Sequence, residues 1–251
     1  MVAAAAATIP SARAVRRASL ARLAACVALA ATATAASASS AHAAPSRVAP
    51  RQLVATLRAD HTIYSAPGGR PVSSISSHRP ITGEATTLPV LATRTGRHAK
   101  WLLIRYPSRP NGAVGWIRAL DTRQWWIHLR VVVSLGQRRA RVYYYGSLIR
   151  TFTVIVGAPS SPTPEGQFFV EESVAEPSSF PGAPYALALS ARSNTFSEFD
   201  GGPGQIAMHG IENLGGTMGT AESHGCVRFT TADITWLAQR VLPGTPVTIS
   251  G

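Results

Sequence analysis

Apolar residues in this chain recur mostly in short runs with a period near two, and turn residues break the runs. HTIYSAPGGRPVSSI places strand formers on both sides of Pro67-Gly68-Gly69. TTLPVLAT is apolar, and KWLLIRYP alternates with Trp101, Leu103 and Arg105 on one face. In RPNGAVGWIRAL, Asn111-Gly112 makes a turn before Val114, Trp116 and Ile117. Strands this short and this close over 52–120 predict a small β-barrel or sandwich. A second unit starts near Asp121. WWIHLRVVVS and ARVYYYG flank the polar turn LGQRRA, and SLIRTFTVIVG continues the sheet. QFFVEE follows a Pro-Gly break, a further strand begins near Tyr185, and QIAMH predicts a strand ending at His209. One stretch has a helical period: Thr230 caps it, and Ile234, Leu237, Ala238 and Val241 make one apolar face before Pro243-Gly244 ends it. TPVTIS supplies a last strand. The class is mainly β with one packed helix.

The first 43 residues follow a different rule. Arg13, Arg16, Arg17 and Arg22 stand in a region without acids, LAACVALAATATAA is apolar, and Ala41-His42-Ala43 fits a small-x-small cleavage site. That order reads as a secretory signal peptide over 1–43, with 44–51 as a linker. Retention as an uncleaved anchor is the alternative, and only then does the chain meet a membrane. Arg16-Arg17 leaves the twin-arginine route open. LAAC at 23–26 resembles a lipoprotein box, but its apolar run lies after Cys26 rather than before it. Export predicts a protein of the periplasm or cell wall. The 251 residues are 45% hydrophobic, enough to build real cores. The net charge of +12 is almost all arginine and suits an anionic envelope. Nucleic acid lacks support, because the chain has no basic helix, finger spacing or basic-aromatic repeat.

Export sharpens the question of Cys226. Cys26 leaves with the signal, so Cys226 becomes the one remaining cysteine. An odd cysteine outside the cytosol is a reactive thiol, an intermolecular bridge or an inert small hydrophobe. Its neighbours bear on the choice. His224 and Arg228 flank it, and His209 lies 17 residues upstream at a predicted strand end. Either imidazole could take the thiol proton, and Arg228 adds positive field. Gly225 lacks a Cβ, so its amide can approach an oxyanion closely. These are the parts of acyl transfer through a thioester.

Met208-His209-Gly210 followed by Ser223-His224-Gly225-Cys226-Val227-Arg228 resembles the signature of the L,D-transpeptidase catalytic domain (the YkuD type). Pro162-Thr163-Pro164-Glu165-Gly166 is similar to that family's Thr-Pro-x-Gly turn. The resemblance spans about 121–251. Residues 52–120 resemble the small SH3-like β module that precedes this domain in some bacterial members. The resemblance implies a β-sandwich-like catalytic domain in which Cys226 is the nucleophile and His209 the general base. Gly210 would orient the imidazole through its carbonyl, and His224 and Gly225 would build the oxyanion pocket. Arg228, Ser223 and Tyr185 would meet substrate, and the segment from about Val174 to Tyr185 would lie over the cleft as a lid. The Gly-rich stretch IENLGGTMGTAE between the two halves of the motif is read as able to flex. The implied reaction joins third-position residues of peptidoglycan stem peptides and releases D-alanine. Water, a D-amino acid or a protein are alternative acceptors. The resemblance further implies acylation by carbapenems and no metal or organic cofactor.

Three other readings compete. A sortase also joins Cys, His and Arg on a β-rich fold, but its Thr-Leu-x-Thr-Cys pattern does not match. A zinc site of His209, His224 and Cys226 has a chemically sound ligand set. A non-catalytic envelope-binding protein would place its function in 52–120.

Overall fold

The computed structural model describes residues 48–199 and 202–251. The 1–43 signal, Cys26 and the start of the linker lie outside the described residues. The described residues all belong to one compact unit.

Seven strands form the first sheet: β1 Gln52–Leu57, β2 His61–Tyr64, β3 Pro71–Ile75, β4 Thr87–Thr95, β5 Lys100–Arg105, β6 Val114–Arg118 and β7 Thr122–Ile127. They run antiparallel in the order β3-β2-β6-β5-β4-β1-β7. Gly68 closes the β2–β3 hairpin with φ +73, a value that L side chains resist. In β5 the deeply buried pair is Leu102 and Ile104, opposite the Leu103 and Arg105 face that alternation marks out. They join Ile63, Leu88 and Ile117 in one core cluster.

The expected boundary at 120 falls one strand short. β7 pairs with β1 along its whole length, from Gln52↔Ile127 to Leu57↔Thr122. The Trp125 Nε1–H also donates to Thr56 Oγ1 at 3.0 Å. Trp125-Trp126-Ile127 therefore completes the first sheet, and one residue, His128, separates it from the second.

The rest of the chain gives β8 Leu129–Ser134, β9 Arg139–Tyr144, β10 Ser147–Thr153, β11 Val156–Gly157, β12 Gly166–Ala175, β13 Tyr185–Arg192, β14 Gln205–His209, β15 Ala221–Ser223, β16 Val227–Arg228, α1 Thr231–Ala238 and β17 Pro246–Ser250. Eight of these strands make a second sheet in the order β10-β9-β8-β17-β12-β13-β14-β16, while β11 and β15 pair as a short parallel ribbon. Strict alternation buries Leu129, Val131 and Val133 of β8 against Val247 and Ile249 of β17. The helix sits as its periodicity predicts. Thr230 Oγ1 accepts the Asp233 N–H at 3.2 Å, and Ile234 and Leu237 enter the core.

The sheets share their cores and a buried ionic cluster. Val54 of β1 belongs to the second core, and Phe169 of β12 belongs to the first. Glu171 and Glu172 are almost wholly buried on β12. A register irregularity between Val170 and Glu172 lets both neighbours reach the same partner, as regular alternation would not. Arg79 pairs with Glu171 and stands 3.9 Å from Glu172; Arg192 reaches Glu171 at 3.0 Å. The Thr82 amide and hydroxyl both donate to Glu172 at 2.9 Å. Buried carboxylates survive only with such partners.

Glu171→Ala should therefore leave Arg79 and Arg192 buried without their carboxylate and lower stability by about 3–5 kcal/mol. Urea denaturation measures it. A loss below about 1 kcal/mol, the value of an exposed pair, would show that the cluster does not tie the sheets.

Candidate active site

β14 and β16 run parallel, with Met208 beside Val227 and His209 beside Arg228. Parallel neighbours cannot be joined by a tight hairpin, so the chain between them must cross over. This pairing sets His209 at the end of one strand and Cys226 directly before the next. Both are half-buried and line one cavity of about 570 Å³, together with His224 and Arg228.

The Ser-His-Gly-Cys turn is folded by its own serine. Ser223 Oγ accepts the Gly225 N–H at 3.2 Å and donates to the Cys226 carbonyl at 2.5 Å. The Ser223 carbonyl accepts from the Ala158 amide at 2.8 Å and from Ser161 Oγ at 3.2 Å. Gly225 holds φ +118, and a Cβ there would stand 3.0 Å from Ile206 Cδ1. At the thiol, Sγ accepts the Ala207 N–H at 3.4 Å.

The imidazole is held from behind. His209 Nδ1 lies 2.7 Å from the Gly210 carbonyl oxygen. A carbonyl only accepts, so Nδ1 carries the proton and Nε2 is left as the base. The loop between β12 and β13 backs this arrangement. The Gly210 N–H donates to the Gly182 carbonyl at 2.8 Å, and the Gly182 N–H to the Glu212 carbonyl at 2.7 Å. A Cβ on Gly182 would meet His209 Nδ1 at 2.5 Å, and one on Gly210 would meet the Ala183 carbonyl oxygen at 1.9 Å. Phe180 and Pro181 of the same loop enter the cavity wall.

Burial sets the electrostatics of the pair. It pushes the Cys226 thiol up from 9.0, against the smaller opposing effects of the Ala207 amide and Arg228. It lowers His209 from 6.5 to about 4; the Gly210 carbonyl opposes this shift, and the Arg228 charge adds to it. Burial therefore favours the neutral form of both groups.

A family model described as the L,D-transpeptidase catalytic domain (YkuD) matches residues 128–249. The YkuD protein of Bacillus licheniformis, an L,D-transpeptidase by name, is 33% identical over 134 residues, 53% of this chain and 70% of that protein. The chain belongs to the YkuD family of L,D-transpeptidases. The YkuD protein of Bacillus subtilis is 29% identical over 124 residues, covering 49% of this chain and 67% of that protein. Among solved structures, the L,D-transpeptidase LdtMt1 in complex with imipenem is 18% identical, with 64% of this chain and 98% of that chain covered and a TM-score of 0.40. As a YkuD-family enzyme, the protein has the family's L,D-transpeptidase activity on peptidoglycan.

The fold gathers Cys226, His209, His224 and Arg228 at one cavity, and the Gly210 carbonyl stands behind the imidazole. Three expectations change. Ser223 is buried and spends its hydroxyl inside the turn, so it positions Cys226 rather than touching substrate. The Gly225 amide is already committed to Ser223 Oγ, which removes it from the oxyanion pocket. Tyr185 starts β13 opposite Ala175 and packs on the core, outside the cavity lining. The 211–222 stretch is also more tied than its glycines suggest. Glu222 accepts from the Thr217 amide and from Thr220 Oγ1, and Arg228 Nη1 holds the Gly215 carbonyl at 3.1 Å. His209, His224 and Cys226 share the cavity, but they do not gather as a metal-holding group among the described residues. Sequence reasoning missed the Ala207 amide, Gly182 and the aromatic wall of Phe196 and Phe199, whose rings lie 6.2 Å from His224. Nothing local in the sequence marks them, because each acts from another segment.

Iodoacetamide alkylation of Cys226 should keep rising with pH beyond 9, since the thiolate forms late. A plateau below pH 8 would contradict the buried neutral pair. Transpeptidation should lose its base only as pH falls toward about 4 rather than through 6.5. Gly182→Ala should displace the imidazole and cut turnover on the order of 100-fold, with the thiol still titratable in denaturant.

Proposed function

We propose that the enzyme crosslinks third-position residues of peptidoglycan stem peptides through a thioester on Cys226. The observation that carries this reading is the His209 imidazole, fixed by the Gly210 carbonyl at 2.7 Å with no partner at Nε2 among the described residues, in the same cavity as the thiol. Cys226 Sγ attacks the carbonyl of the third stem residue as its proton passes to His209 Nε2. The carbonyl oxygen takes the negative charge. Among the described residues the Cys226 N–H takes no partner, so it is the donor left for that oxyanion, with His224 at the cavity rim. The C–N bond to D-alanine breaks and its amine leaves with the proton from His209. An acceptor amine then loses its proton to His209, forms the new amide and displaces the thiolate, which regains the proton. Arg228 suits a stem carboxylate: it lines the cavity, and with Nη1 used on Gly215, Nη2 is the donor left without a partner among the described residues.

The basic, apolar and small-residue order of 1–43 supports export to the envelope, where such stems lie. A carbapenem offers the same thiol a strained amide, so Cys226 should be acylated by ring opening with the whole drug retained.

The test is to incubate the protein and its Cys226→Ala variant with a diaminopimelate disaccharide-tetrapeptide and read products by mass spectrometry. A dimer lacking one D-alanine, absent with the variant, is the expected result. A tripeptide without dimer would transfer the acceptor role to water and make the enzyme an L,D-carboxypeptidase. Unchanged substrate, with no imipenem adduct on Cys226, would overturn the nucleophile.

A further inference from the structure

The loop between β5 and β6 reaches out of the first sheet and ends on the cavity wall. Arg109 Nη1 donates to the Ser193 carbonyl at 2.6 Å, and Nη2 donates to the carbonyls of Phe196 at 2.7 Å and Pro203 at 3.0 Å. Those acceptors come from both limbs of the segment joining β13 to β14. A guanidinium is a planar fork of fixed donors, suited to drawing several carbonyls together. The segment is shaped to accept it: a Cβ on Gly204 would fall 2.1 Å from the Phe196 carbonyl oxygen and 2.7 Å from Arg109 Nη2. Two residues on, Asn111 pairs with the Arg192 main chain in both directions, donating at 2.7 Å and accepting at 2.8 Å. It continues the end of β13 as a neighbouring strand would.

This clamped segment carries Phe196 and Phe199, the aromatic wall facing His224, and Ser193 and Gly204 also line the cavity. Loops with few ladder bonds sit at the low end of local stability unless something outside them holds them. We propose that Arg109, seconded by Asn111, is a positioning residue that sets the Phe196–Phe199 wall against the bound stem peptide. The first sheet then acts in the reaction by holding one side of the cleft rather than by binding a ligand of its own. The inference rests on the proposed reading of the cavity as the stem-peptide site.

The full protein, Arg109→Ala and Arg109→Lys are compared by hydrogen–deuterium exchange, by steady-state turnover of the tetrapeptide and by iodoacetamide alkylation of Cys226. In Arg109→Ala, exchange should rise in 193–199 and 202–206 and stay level in 166–175. KM should rise on the order of tenfold, with kcat within about threefold. Alkylation should be unchanged, because the small reagent does not use the wall. Arg109→Lys should recover part of the KM, since an ammonium can hold one or two of the three carbonyls. Unchanged exchange would overturn the clamp. Raised exchange with an unmoved KM, or kcat and alkylation falling together, would overturn the positioning role. Should the unaltered protein turn over no stem peptide, the proposed function fails and the clamp is judged by exchange alone.

Discussion

The site depends on one short parallel ladder, β14 against β16. It is two residue pairs long, yet it sets His209 and Cys226 on adjacent strand ends and makes everything between them a crossover. Parallel pairs form slightly weaker ladders than antiparallel ones, and two pairs cannot hold themselves. The surroundings supply the rest. Arg228 exchanges main-chain hydrogen bonds with Ile155 at 2.9 and 3.0 Å, and the Phe229 amide donates to the His209 carbonyl at 2.8 Å. Ser223 then folds the turn that carries the thiol, and Gly182 and Gly210 press the next loop against the imidazole. The shared placement of His209 and Cys226 is a consequence of these close approaches more than of the side chains themselves.

Burial has a cost that the arrangement turns to use. A thiol raised by desolvation is a poor nucleophile at rest, and an imidazole lowered to about 4 is a weak base. Together they make a pair that burial holds in its neutral form. The polar groups that meet the thiol and the imidazole are already in place: the Ala207 amide at Sγ, the Gly210 carbonyl at Nδ1 and the Arg228 charge. Such preorganised dipoles need no rearrangement as charge develops. The same logic of buried partners ties the two sheets through Glu171 and Glu172. These are costly groups, and their presence on β12 binds the first sheet to the second through Arg79 and Thr82.

Much of this was legible in the chain. Period-two runs give the strands, because a sheet with one buried face demands alternation, and the Thr230 cap with Ile234 and Leu237 gives the helix. The paired His-Gly and Ser-His-Gly-Cys stretches point to the cavity, since thioester chemistry needs a thiol, a base and small residues where backbones approach. The boundary at 120 differs because local pattern cannot say which sheet a strand joins; Trp125, Trp126 and Ile127 of β7 run almost straight into the apolar β8, and only the pairing with β1 separates them. The roles of Ser223 and Gly225 were misread for a related reason. A hydroxyl next to a nucleophile can face substrate or fold the turn, and the choice lies in a hydrogen bond made two residues away.

Local chemistry in the sequence by itself determined the mainly-β class, the helix and the paired His-Gly and Ser-His-Gly-Cys motif, because each is a property of neighbouring residues. The tertiary structure alone decided which amide meets the thiol, which glycine lets a loop touch His209, and that Arg109 and Asn111 hold the cleft wall. Those contacts join residues far apart in the chain, and their partners are mostly main-chain carbonyls and amides. Every residue carries such groups, so no side-chain pattern announces which of them will be used.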